Sequence, residues 1–72
     1  MSERAEVRVL LNGEARSLAS GLTVAGLVRD LGQDPRAVAV EYNGRILPRG
    51  RYSETLVHEG DRIEVVHFVQ GG

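Results

Sequence analysis

The groups in this chain best suited to covalent chemistry are its last residues. Gly71 and Gly72 follow an apolar run of Ile63, Val65, Val66, Phe68 and Val69 that reads as a buried strand. Glycine has no Cβ, so a Gly-Gly pair can lie extended in a narrow channel and bring its carboxylate close to bound reactants. A terminal carboxylate, with an ordinary pKa of about 3.5, is ionised at neutral pH and is a poor electrophile until one oxygen becomes a leaving group. A Gly-Gly end of this kind suits a carrier or tag that presents its carboxylate on a thin stalk; taken alone, it also reads as a frayed terminus. Extended, Gln70 to Gly72 span at most about 10 Å, enough to enter a narrow channel while the folded body stays outside.

The other side chains offer no rival chemistry. Without cysteine there is no thiolate nucleophile, disulfide framework or Cys-based metal site. His58 and His67 lie on separate segments without a paired carboxylate motif, so neither receives a role and no metal site is expected. No nucleophile and base can be paired, so no catalytic residue is assigned and the chain is read as a substrate rather than an enzyme. All nine basic residues are arginines, so no lysine amine can accept an isopeptide bond. No glycine sits in the strand-to-helix context of a phosphate-cradling loop, and no bound cofactor is expected. Net charge is -1 with both signs interspersed, and the only aromatics are Tyr42, Tyr52 and Phe68; this disfavours a nucleic-acid partner. Residues 1–6 are polar, no apolar stretch is long enough to span a bilayer, and a cytoplasmic protein is expected. Glu54, Glu59, Asp61 and Glu64 read as a solvated face, with Asp61 serving a turn.

The elements that must hold the terminus follow from periodicity. Val7, Val9 and Leu11 alternate with Glu6, Arg8 and Leu10 as in a half-buried strand, and Asn12-Gly13 supplies a hairpin turn into a short edge strand over Glu14 to Leu18. Val24, Leu27, Val28 and Leu31 form one helical stripe, with Thr23 as N-cap, Gly32 as terminator and Leu22 with Leu27 as a hydrophobic staple. Gly26 inside that helix costs up to about 1 kcal/mol relative to alanine, for which close helix-to-sheet packing is the reason at hand. After Gln33-Asp34-Pro35, Val38, Val40 and Tyr42 alternate up to a second hairpin signal, Asn43-Gly44, whose return arm Arg45-Ile46-Leu47 stops at Pro48. A loop with one helical turn near Arg51 to Thr55 leads through Gly60-Asp61 to the last strand, Arg62 to Val69. The order predicts an α+β fold of the β-grasp kind. A mixed sheet of four to five strands packs on one α-helix, with the first and last strands parallel near its centre. Its core would join Val7, Val9, Leu27, Val28, Leu31, Val38, Val40, Ile63 and Val65. Residues 1–69 form one domain in this reading, and residues 70–72 a flexible tail.

Asn12-Gly13, Thr23-Val24, Asn43-Gly44, Leu47-Pro48-Arg49, the run from Gly60 to Val66, and Gly71-Gly72, in this order and spacing, resemble the ThiS family of thiamine-pathway sulfur carriers, ubiquitin-like β-grasp proteins. The resemblance spans nearly the whole chain. It implies that an E1-like adenylating enzyme (ThiF-like) joins the Gly72 carboxylate to AMP from ATP, with Gly71 and Gln70 threading the carboxylate into the partner's active site. A sulfur donor such as a cysteine desulfurase or rhodanese then leaves a thiocarboxylate, and a thiazole synthase (ThiG-like) takes the sulfur. Tyr52 stands where many relatives carry tryptophan and Gln70 where a third glycine is common. Those departures bear on partner contacts, not on the reacting carboxylate.

If Val38, Val40, Ile63 and Val65 point inward, alternation places Leu10, Ala39, Val66 and Phe68 on the helix-free face, bordered by Arg8, Glu41 and Glu64. Their convergence beside the tail is expected to form the partner interface of a chain that is monomeric when free. Three alternatives share the β-grasp fold. The small subunit of molybdopterin synthase has the same tail, usually preceded by prolines that are absent here. A carrier for tRNA thiolation or protein tagging is the second, and a non-carrier interaction module the third.

Overall fold

Two asparagine-glycine pairs set the course of the chain. Asn12 and Gly13 have φ of 51° and 82°, and Asn43 and Gly44 have φ of 53° and 86°. Positive φ at both central residues gives a two-residue hairpin whose twist matches that of its strands, and glycine takes the second place without steric cost. The first hairpin joins β1 (Glu6–Leu11) to β2 (Glu14–Ala19), and the second joins β3 (Val38–Tyr42) to β4 (Arg45–Leu47). With β5 (Arg62–His67) they make a five-stranded sheet in the order β2-β1-β5-β3-β4. β5 lies in the middle, parallel to β1 and antiparallel to β3. One α-helix among the described residues, α1 (Val24–Asp30), covers one face, which makes this the β-grasp arrangement. The structure, a computed structural model, describes residues 5–68; the expected domain boundary at residue 69 and the tail lie outside them.

At seven residues α1 is too short to persist alone, so its ends and its packing must hold it. Thr23 caps it, its Oγ1 accepting from the Gly26 N–H at 3.0 Å. At the other end the Gly32 N–H donates to the Arg29 carbonyl and the Gln33 N–H to the Val28 carbonyl, a Schellman closure. The reason for Gly26 differs from the one expected. A Cβ there would lie 2.9 Å from Leu22 Cδ1, so glycine makes room for the leucine folded over the first turn, not for the sheet.

Val9, Leu27, Val28, Val38, Val40 and Ile63 are buried as expected, whereas Val7, Leu31 and Val65 are half-buried at the core's margin. Leu11, Val24, Ala25, Tyr52 and Val57 complete the core. Tyr52 is held inside by its hydroxyl, which donates to the Val38 carbonyl at 3.1 Å. That departure from tryptophan is therefore a matter of core filling, not of partner contact. Three boundaries also shift. β2 runs on to Ala19, β5 stops at His67, and the late helical turn is a 3-10 segment over Arg49–Glu54. A second 3-10 turn, Pro35–Ala37, has no apolar periodicity to betray it. Asp34 caps it, accepting from the Arg36 N–H at 2.9 Å. Among the described residues no helix is long and apolar enough to cross a membrane.

Candidate functional site

Phe68, the last described residue, is held through β5, and both hairpin asparagines grip that strand. β1 ends its pairing with β5 at Leu11 opposite Ile63. The Asn12 side chain then takes over where the backbone ladder stops. Its Oδ1 accepts from the Val65 N–H at 2.8 Å and its Nδ2 donates to the Val65 carbonyl at 3.4 Å. From the other side, Asn43 Oδ1 accepts from the Arg62 N–H at 2.8 Å. At the far end, the Phe68 N–H donates to the Ala37 carbonyl at 2.9 Å, carrying the β3 ladder one step past the strand. The Pro35–Ala37 turn thus holds the point from which the chain continues to Gly72.

Asp61 anchors the start of β5. It is 8% exposed and accepts hydrogen bonds from the Tyr42 hydroxyl at 2.5 Å, the Asn43 amide at 3.1 Å and the His58 N–H at 2.8 Å. Burial pushes the Asp61 carboxyl up, but the Tyr42, His58 and Asn43 hydrogen bonds outweigh burial and hold it below the usual carboxylate value. Burial and the same Tyr42–Asp61 bond push the Tyr42 hydroxyl up to about 12. The linkage signs are opposite. Asp61 stabilises the fold above its unfolded pKa of about 4, and that share is lost as pH falls through its lower folded value. Tyr42 stabilises below its unfolded pKa of about 10, and its share is lost as pH rises through about 12. Melting temperature followed against pH should fall at both ends, with Tyr42→Phe removing part of the alkaline loss. An alkaline profile identical in wild type and Tyr42→Phe would contradict the pairing.

The helix-free face is built from alternate residues of the strands. Val66 sits opposite Ala39, and the next row sets Glu64 opposite Glu41 and Glu41 opposite Ile46. Val66 is 58% exposed, and Phe68 continues the same register beside it. The structure therefore brings Ala39, Val66 and Phe68 together at the tail end of the sheet. Leu10 does not join them. It is exposed on the same face but pairs with Arg62, four residues before Val66, about 13 Å back along β5. Ile46, 70% exposed, is a member of the face that the alternation argument missed, although Leu47 opposite Val40 already implied its direction. Glu41 and Glu64 face each other directly across the ladder, an unfavourable like-charge pair, and among the described residues neither has an ion-pair partner. Gln70, Gly71 and Gly72 lie outside the described residues.

Comparison with known proteins joins this architecture to the terminus. Residues 9–72, the closing glycines included, match the family model described as the ThiS family. The sulfur carrier protein ThiS of Escherichia coli is 32% identical over 66 residues, covering 92% of this chain and 100% of that protein. The crystal structure of the thiamine biosynthesis protein ThiS from Geobacter metallireducens aligns with a TM-score of 0.77 at 32% identity, over 92% of this chain and 100% of that one. A thiazole synthase of Paramagnetospirillum magneticum is 41% identical over 66 residues, and the chain spans about one fifth (20%) of its length. With a β-grasp sheet whose middle strand leads into the Gly-Gly end, and a family match that runs through that end, the chain belongs to the ThiS family.

Proposed function

We propose that this chain is a sulfur carrier of thiamine biosynthesis, with the Gly72 carboxylate as the loaded group. The match of residues 9–72 to the ThiS family carries the reading, because it includes both the strand system that fixes Phe68 and the glycines that follow it. An E1-like adenylating enzyme uses ATP to join the carboxylate to AMP. The persulfide of a sulfur donor of the cysteine desulfurase or rhodanese type then displaces AMP to give an acyl disulfide, and a thiol reduces its S–S bond to leave the thiocarboxylate. The chain supplies no catalytic group and binds no cofactor of its own. It presents an end that others activate.

The receiving enzyme is a thiazole synthase. Similarity to a longer thiazole synthase chain supports this choice, since a carrier-like segment within it places carrier and acceptor in one polypeptide. Val66, Ala39 and Phe68 form the apolar part of the docking face. Glu41 and Glu64 favour a partner that presents a cation between them, relieving their mutual repulsion. A cytoplasmic setting suits a reaction that consumes ATP. The test is to give the sulfur-loaded chain to a thiazole synthase with its other substrates, and separately to a molybdopterin synthase large subunit with its precursor. Thiazole formation with return of the carrier to its carboxylate mass supports the reading; discharge only to the molybdopterin precursor overturns it.

A further inference from the structure

The hydrogen bonds along β5 reveal an opening in the sheet. Residues of an antiparallel strand alternate in the direction of their backbone groups. The Phe68 N–H bond to Ala37 shows that Phe68, and with it Val66 and Glu64, turn their N–H and C=O toward β3. Asp61, Ile63 and Val65 turn theirs the other way. The Asp61 carbonyl accepts from the Leu10 N–H and the Ile63 carbonyl from the Asn12 N–H, while the Asn12 side chain satisfies both groups of Val65. His67 is the next residue in this series. β1 has ended at Leu11, the hairpin has turned away, and among the described residues no hydrogen bond reaches His67 on that side. Among the described residues the central strand of the sheet thus has a half-open edge, closed by Asn12 at Val65 and open at His67.

Resting on the carrier reading, we propose that this open edge is a strand-addition site for the adenylating enzyme. An extended segment of the enzyme lies where β1 would continue and pairs with the His67 N–H and C=O. The occupant follows from chain length. The four residues that follow Phe68, ending in Gly72, reach at most about 14 Å, so the enzyme that activates Gly72 must bring its own surface against this end of β5. The nearest unused main-chain donor and acceptor there are those of His67. Pairing through the backbone would fix the direction in which the terminus enters the active site, with side-chain contacts on the open face adding to it. Asn12 sets where the added strand must stop, since Val65 is already occupied.

Proline at position 67 separates this from a side-chain contact. His67→Pro removes an N–H that faces away from β3 and so costs no existing ladder bond, and Val66 is already extended as the residue before proline must be. His67→Ala removes the side chain and keeps the N–H. With the cognate adenylating enzyme, ATP and a sulfur donor, loading measured at low carrier concentration should be about tenfold slower for His67→Pro than for His67→Ala. Amide hydrogen exchange of the wild-type protein gives a second measurement that does not depend on the variant folding. The His67 amide should exchange freely in the isolated chain and become protected in the complex. Equal loading by the two variants, or an amide that exchanges as fast in the complex as in the free chain, overturns the edge proposal while wild-type loading still supports the carrier. Failure of the wild type to load overturns both.

Discussion

Removing Gly72 should leave a folded domain that no longer accepts sulfur. The expected loss of loading is at least 100-fold, because deletion moves the carboxylate back by one residue, about 3.5 Å, and reacting atoms must be held within about 3–3.5 Å of each other. The core that the described residues form does not include it. The last hydrogen bond among the described residues is that of Phe68 with Ala37, and the buried cluster of those residues ends at Ile63. Melting temperature should therefore stay within about 2 °C of the wild type, as expected for a change away from the packed core. Loss of loading with unchanged stability separates a carrier from an interaction module. A module would keep both its partner and its activity after the deletion. Loading rate and thermal unfolding of the same preparation check the two halves of the prediction.

The largest effect on stability should come from Asp61→Ala. This carboxylate collects hydrogen bonds from Tyr42, Asn43 and the His58 backbone, joining the second hairpin to the turn that begins β5. Truncation leaves the Asn43 and His58 donors without this acceptor in a largely buried site and the Tyr42 hydroxyl with only the Leu56 carbonyl at 3.1 Å, and such losses cost about 1–3 kcal/mol for a group left unsatisfied. A total near 3 kcal/mol is expected, lowering the melting temperature of a domain this small by about 15 °C. Asp61→Asn should cost less, since one amide oxygen can still accept while its NH2 meets the donor of Tyr42 or Asn43. Asp61 lies at the opposite end of β5 from Phe68, so Asp61→Ala below its melting temperature should still load sulfur. A shift smaller than about 4 °C in Asp61→Ala would show that the network contributes little.

These two residues also show what a single sequence can disclose. The Asn-Gly pairs, the helical stripe from Val24 to Leu31 and the final β-prone run are local patterns, and each marks its element because backbone sterics and periodicity act over a few residues. Their order was enough for the β-grasp arrangement with β1 and β5 parallel. Asp61 was legible as a turn residue, but its role as a hub joins partners 18 and 19 residues upstream, which no local pattern encodes. The same holds for Asn12, whose side chain reaches Val65 across 53 residues of sequence. Gly26 is explained only once Leu22 is seen folded over it. Tyr52 came from a segment without period, and its place in the core depends on the Val38 carbonyl, 14 residues away.

The docking face is legible only in part for the same reason. Alternation tells which side of the sheet a residue faces, and Leu10, Ala39, Val66 and Ile46 all follow it. It does not tell how far two parallel strands are slid past each other. The observed register puts Leu10 beside Arg62, away from the tail. Ala39 and Val66 meet because the β3–β5 pairing aligns them directly.

A carrier function depends above all on the reactivity of the Gly72 carboxylate. Intact-protein mass spectrometry, after incubation with the cognate adenylating enzyme, ATP and a sulfur donor, measures it directly. The mass should rise by the difference between one sulfur and one oxygen, only when ATP is present, and fragmentation should place the sulfur on Gly72. A mass that stays unchanged with an enzyme shown to be active on another carrier, or sulfur found on any other residue, would contradict the account.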